Sequence, residues 1–261
     1  MSNDLQEWQA RRLAELSGPD SWLGLTGLYW LQDGLNSVGS APDSAVVLPG
    51  GPSRLGDLRC AGSQVFWQPL SGGERELQTD VHGRPSLVEF ENWAFFPVDR
   101  DGRLAARVRD RDWAKGRPFA GLSYFDFDPA WQIDAEWQAI SPPLRMEVPN
   151  VSGDLKVVEV AHRAAFEIGG QTVGLLPMVV GDDEVFFVFR DRTSGRESYG
   201  AGRFLKARPA VDGKIRLDFN QAYSPPCAFT PFATCPLPPP DNWLAFPVNA
   251  GEKKSIAPTE D

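Results

Sequence analysis

Cys227 and Cys235 are separated by seven residues and follow Tyr199 and Arg203; Asp218, Asn220, Tyr223 and Lys253 complete the polar groups near them in the chain. Arg203 sits in Tyr199-Gly200-Ala201-Gly202-Arg203, where two glycines let backbone come close and a guanidinium can grip a planar anion bidentately. The leading expectation is a pocket for a small polar or anionic metabolite, lined by Tyr199, Arg203, Asp218, Asn220, Tyr223 and Lys253. From another class, a hydrolase or thiol-dependent enzyme would use Cys227 as nucleophile. Such a thiol needs a base or a cation beside it, and only Lys253, Lys254 or Arg203 could bring one from elsewhere in the chain. A protein-interaction module is the third reading.

Each residue also has a plainer role open to it. Arg203 would pair with Asp218 or Glu197 across a β-bulge. Asp218 and Asn220, two apart on one strand face, would anchor the backbone of the loop that follows or line a pocket with Tyr223. Asp191 to Gly195 reads as an Asx-turn closed by glycine; alternatively Asp191 and Thr193 stand on a pocket rim. Cys227 and Cys235 would be reduced, buried and close together. No zinc site is expected, since a short C-x₂₋₄-C knuckle is missing and His82 and His162 lie far away in sequence. G-x-S-x-G, H-E-x-x-H and P-loop patterns are absent as well, so no cofactor is expected.

The element that must position the thiols is Asn220 to Pro240, NQAYSPPCAFTPFATCPLPPP, twenty-one residues without a charge and one-third proline. It can be neither helix nor inner strand, yet its prolines restrict the unfolded chain and Tyr223, Phe229 and Phe232 offer large apolar areas. An ordered loop laid on the core is expected. Upstream, Leu5, Trp8, Arg12, Leu13 and Leu16 share one face at helical spacing, Asn3 with Gln6 resembles a capping box, and Gly18-Pro19 ends a helix over residues 3 to 17. Thereafter short apolar runs follow at 45–48, 64–70, 93–98, 104–108, 135–140, 155–160, 173–180, 184–189 and 215–219. The pair 173–180 and 184–189 reads as a buried hairpin across Gly181-Asp182-Asp183.

With 25 glycines and 23 prolines in 261 residues, the punctuation favours a mainly β fold: a sandwich or barrel of short antiparallel strands, one amino-terminal helix, and the Cys/Pro-rich loop. The expected division is residues 1–98, helix and first β region, and 99–261, second β region, across Asp99-Arg-Asp-Gly102, with one composite domain as the alternative. The formal net charge of −9 gives no footprint for nucleic acid. No run reaches the length of a membrane helix, and the charged first residues lack the apolar core of a secretory signal. A cytoplasmic protein with a small-molecule partner is expected.

Two resemblances extend this reading. Leu31-x-x-Gly34, Asn36 to Ser40, Ser44 to Pro49 and Ser53-Arg54 follow the order of a forkhead-associated β-sandwich over residues 28–98. Ser40 stands where that family has its phosphothreonine-binding Arg and Gly56 where it has a His, so the resemblance implies the sandwich and not its binding function. Phe189 to Gly195, Glu197 to Leu205, Leu217 to Tyr223, the cysteine loop and Ala250 to Lys254, with Gly27 to Leu31 and Arg107 to Asp110, resemble a bacterial family known as a domain of unknown function, DUF1684. Ser224 stands where that family usually has Asn. The resemblance implies no reaction.

Overall fold

The computed structural model describes residues 3–116, 119–151, 153 and 155–254. It is mainly β, with 46% of the chain in strands and 15% helical. Helix α1, Asn3–Ser17, forms where expected. Leu5 and Leu16 are buried while Leu13 is 41% exposed, so the apolar stripe is narrower than its spacing suggests. Asn3 donates its side-chain amide to Glu7 at 2.9 Å and does not enter a capping box with Gln6. No described helix is long and apolar enough to cross a membrane.

The chain divides into two compact units, one of Glu15–Phe119 and the other of the chain on either side of it. In the first, strands β1 (Leu25–Trp30), β2 (Gly34–Gly39), β3 (Val46–Val47), β4 (Gly56–Ala61), β5 (Gln64–Pro69), β6 (Arg75–Leu77), β7 (Val88–Phe90), β8 (Trp93–Arg100) and β9 (Arg103–Asp110) precede a short helix, α2 (Trp113–Gly116). They make a sheet of order β1-β9-β8-β7 and another of order β3-β2-β4-β5-β6, antiparallel except where β2 and β3 run parallel. Val38, Leu58, Val65, Trp67, Phe95, Ala106 and Val108, from both sheets, close one core, and Trp67 meets Phe95 edge to face at 5.0 Å. Along β4 and β5 alternate residues are buried, as a half-buried sheet requires, whereas β8 and β9 each bury five residues in a row. Asp99 to Gly102 is the turn of the β8–β9 hairpin, where the Asp99 carboxylate accepts from Gly102 N–H at 2.7 Å.

The second unit holds β10 (Gln132–Pro149), β11 (Leu155–Ile168), β12 (Gln171–Leu175), β13 (Pro177–Val180), β14 (Val185–Phe189), β15 (Arg203–Ala207) and β16 (Lys214–Asp218). One sheet runs β12-β11-β10-β16 and the other β13-β14-β15. Their inner faces share a core around Phe219, whose ring meets Trp131, Phe166 and Phe189. The hairpin expected over 173–189 forms only from Pro177 onward. Val173 and Leu175 pair instead with β11, and Val179 and Val180 are each 57% exposed at the tip. Beyond their pairings with β16 and β12, β10 and β11 continue as a two-stranded ribbon. Its end is tied to the cysteine loop by Val151 N–H on Cys235 O at 3.0 Å and Leu237 N–H on Pro149 O at 2.8 Å.

Gly251 has φ +79°, and a Cβ there would lie 2.5 Å from Ala222 O and 2.7 Å from Phe219 O, whereas Gly213, at φ +73°, faces open space. Gly213→Ala should cost only the left-handed backbone strain, about 1–2 kcal/mol. Gly251→Ala should lower the melting temperature several-fold more, because backbone must also move. Equal shifts in thermal melts of the two variants would show that the close approach at Gly251 is not a constraint.

Candidate functional site

The node of the second unit is Arg203, fully buried at the first position of β15. Its Nη2 donates to Asp191 Oδ2 at 2.8 Å and to Val248 O at 2.9 Å, and its Nη1 donates to Ala250 O. The guanidinium lies over Phe189 and Phe125, at 5.2 and 5.8 Å from the ring centres. Burial pulls the Arg203 pKa below its usual value against the opposing pull of Asp191. The partner is therefore Asp191 and neither Asp218 nor Glu197. Gly202, at φ +104°, lets the chain enter at all, since a Cβ there would sit 2.5 Å from Phe189 O. Both terminal nitrogens of Arg203 serve the fold, so an anion has no open guanidinium to grip here.

Asp191 reaches its place through the turn that its sequence suggests. Oδ1 accepts Thr193 N–H at 2.7 Å and Val248 N–H at 3.2 Å, Ser194 N–H bonds Asp191 O at 3.1 Å, and Gly195 has φ +85°. The Thr193 and Ser198 hydroxyls close the turn at 2.7 Å.

Asp218 and Asn220 do not share a strand face. The Asp218 carboxylate accepts Asn220 N–H at 3.1 Å and turns residues 219–221 into a 3₁₀ turn, ending the alternation. Asn220 is an anchor, as the plainer reading has it, but for a different segment: its amide exchanges hydrogen bonds with the backbone of Asp128 at 3.1 and 3.0 Å. Tyr223 exchanges backbone hydrogen bonds with Phe204, both at 2.9 Å. Lys253 Nζ stands 5.0 Å from the centre of the Phe125 ring. Of these residues, Lys253 shares the Phe125 ring with Arg203, while Asp218 and Asn220 are engaged at the 219–221 turn and Asp128.

Tyr199, Cys227 and Cys235 do converge. Cys227 N–H donates to Cys235 Sγ at 3.3 Å, and Tyr199 OH donates to Cys227 O at 2.9 Å. Cys227 is half-buried on a one-turn 3₁₀ segment, Pro226–Ala228, and Cys235 is buried. All three cysteines are free, and the third, Cys60, lies in the other unit with its thiol pushed up by burial. Hydrogen bonding with Cys235 and then with Tyr199, working against burial, holds the Cys227 thiol down at about 7. Burial pushes the Tyr199 phenol up, so it stays a proton donor. No cation takes part in this shift; Lys253, Lys254 or Arg203 could have brought one from elsewhere in the chain. Among the described residues no group of three or more His, Cys, Asp or Glu is placed to hold a metal ion.

A further cluster escapes the sequence reading although one member, Arg12, stands in the apolar face of α1. Arg12 Nε meets Glu252 Oε2 at 3.3 Å, its Nη2 donates to Ser224 O at 2.8 Å, and its guanidinium lies over Tyr223 and Phe229. Glu252 is fully buried, and burial raises its pKa against the opposing pull of Arg12. The signal was an arginine at a core-facing position, which demands a partner.

The model of a family described as "Protein of unknown function (DUF1684)" matches residues 117–253. The solution NMR structure of an uncharacterized protein from gene locus rrnAC0354 of Haloarcula marismortui is 33% identical over 58% of this chain and 89% of that one, with a TM-score of 0.44. No curated protein matches the chain.

Arg203→Met should remove one partner of a fully buried pair and leave Asp191 uncompensated, at about 3–5 kcal/mol. An unchanged melting temperature would contradict the role given to the pair. At Glu252 burial raises the pKa, so the protonated carboxyl is favoured more in the folded chain than in the unfolded one. Its contribution is present below the unfolded value of 4.5 and fades as pH rises through the folded value. Melts between pH 4.5 and 7 should therefore show Glu252→Gln gaining stability relative to wild type as pH rises; a gain in the opposite direction would refute the assignment.

Proposed function

As the chain belongs to the DUF1684 family, whose description assigns no activity, we propose that its chemistry is that of a thiol: Cys227 and Cys235 exchange with small disulfides. The observation that carries this reading is the contact of Cys227 N–H with Cys235 Sγ at 3.3 Å, which brings two reduced cysteines together on one short loop. A thiolate, not a thiol, is the nucleophile, and the best attacking thiol has a pKa near the ambient pH. Cys227, at about 7 and half-buried, meets both conditions.

In this reading the Cys227 thiolate attacks one sulfur of a disulfide RSSR, forming a Cys227–SR bond and releasing RS⁻. Cys235 then loses its proton and attacks the Cys227 sulfur, displacing the second RS⁻. The protein gains one disulfide, the substrate becomes two RSH, and the two protons come from the two cysteines. Tyr199 is a positioning residue: its hydroxyl holds the Cys227 carbonyl and so fixes the direction of the Cα–Cβ bond. Arg203, Asp218 and Asn220 hold other parts of the fold, at Asp191, Val248 and Ala250, at the 219–221 turn and at Asp128, a role their hydrogen bonds support better than contact with a ligand.

Alkylation of Cys227 by iodoacetamide, followed by peptide mass spectrometry, should reach half its maximal rate near pH 7. In Cys235→Ser the midpoint should move towards the ordinary cysteine value of about 8.5. Equilibration with oxidised glutathione should give an intramolecular Cys227–Cys235 disulfide while Cys60 stays reduced. An ordinary midpoint in wild type, together with only glutathionylated or unreacted Cys227, would end the proposal.

A further inference from the structure

The second unit carries a concentration of positive charge that the thiol reading does not use. A depression of about 460 Å³ is lined by Arg190, Arg192, Ser194, Arg196 and Trp243, with Asp191 beneath. In a chain of net charge −9, three exposed arginines on one concave surface reverse the local sign. None of them forms an ion pair among the described residues. The single carboxylate in the lining is turned inward, since Asp191 is buried with both oxygens engaged by Arg203, Thr193 N–H and Val248 N–H. It neutralises Arg203 and leaves the surface arginines without a counter-charge.

The walls are held in place. Arg190 N–H bonds Asn242 O at 3.0 Å, Leu244 N–H bonds Arg190 O at 2.7 Å, and Arg192 N–H bonds Phe246 O at 3.1 Å. Arg192 Nε is fixed on Ala245 O at 3.2 Å, and the Arg190 guanidinium lies 5.3 Å from the centre of the Trp243 ring. Ser194 Oγ accepts Asp191 N–H at 3.2 Å, which leaves its own proton to donate. Planar guanidinium forks plus a hydroxyl donor are the groups that recognise tetrahedral oxyanions.

From this arrangement we infer a binding site for the phosphoryl group of a small molecule, with Arg192, Arg196 and Ser194 as donors to its oxygens and Arg190, on Trp243, completing the positive wall. The site is independent of the thiol pair. It goes beyond the disulfide-exchange reading, because neither cysteine contributes to it.

Isothermal titration of the full chain with inorganic phosphate, pyrophosphate and phenyl phosphate, at ionic strength matched with sodium chloride, tests it. Saturable binding of at least one of the three is expected. The Arg196 side chain has no hydrogen bond or ion pair among the described residues, only its backbone N–H bonding Thr193 O at 3.0 Å, so Arg196→Gln should keep the wild-type melting temperature while weakening binding about tenfold or more, the size of one charge-assisted hydrogen bond. Arg190→Gln/Arg196→Gln should abolish it, and Cys227→Ser should bind as wild type does. Preference for inorganic phosphate would identify the free ion as ligand, and preference for phenyl phosphate an organic phosphomonoester seated by Trp243. No saturable binding by any probe, or binding that Arg190→Gln/Arg196→Gln leaves unchanged, overturns the inference.

Discussion

The second unit depends on one buried charge pair. Arg203 and Asp191 have no exposed side-chain surface, and a pair removed from water in this way is tolerable only when the remaining donors and acceptors are also engaged. That condition writes much of the surrounding structure. Asp191 must lie in a turn that gives its second oxygen the Thr193 and Val248 N–H groups, and Arg203 must find carbonyls at Val248 and Ala250, which leaves its Nε buried without a partner. The chain from 244 to 250 belongs to no strand, and its polar backbone is ordered by a side chain on β15 and one at the end of β14. Gly202 and Gly251 follow from the same demand, because both let backbone approach where a Cβ would collide.

The strands and the helix are legible because their signals are local. Short apolar runs bounded by turn residues mark β5, β8, β9, β14 and β16, and α1 occupies the residues its periodicity selects. What fails locally is informative. Alternation carried past Asp218 puts Asn220 on the strand, whereas an Asx-type hydrogen bond from Asp218 ends the strand there. Asp and Asn offer the backbone an alternative to a ladder, and no periodicity count contains that competition. The choice of partner for Arg203 is non-local: Asp191, Asp218 and Glu197 are equivalent in sequence, and only the return of 246–250 over the core decides among them. The Cys227–Cys235 contact was within reach because a seven-residue spacing keeps the ends of a loop close.

The identity of the Cys227 activator lies beyond such reasoning. A search for cations near a reactive cysteine finds none in the loop, and the structure uses a neighbouring thiol and a phenol. Both are neutral groups that lie against Cys227 itself, Cys235 Sγ accepting its N–H and Tyr199 OH holding its carbonyl, whereas a lysine at a distance is screened by solvent.

The proline-rich segment shows why the aromatic and arginine residues stand where they do. Prolines cannot donate, so residues 220–240 have too few N–H groups for their own carbonyls: Ala228, Phe229 and Thr230 N–H serve Pro225 O and Pro226 O, and other buried carbonyls require donors from elsewhere. Donors from outside the segment include Arg12 Nη2 on Ser224 O, Tyr199 OH on Cys227 O, Val151 N–H on Cys235 O, Phe204 N–H on Tyr223 O, Glu252 N–H on Ala222 O and Trp243 Nε1 on Pro238 O. Asp218 and Asn220, the nearest polar residues in sequence, serve the 3₁₀ turn and Asp128 instead. Two of these donors hold the carbonyls of the cysteines themselves, so the backbone on which both thiols are mounted is tied down from outside the loop. The β10–β11 ribbon, whose length looks superfluous to the sheet, is what delivers one of those donors to Cys235.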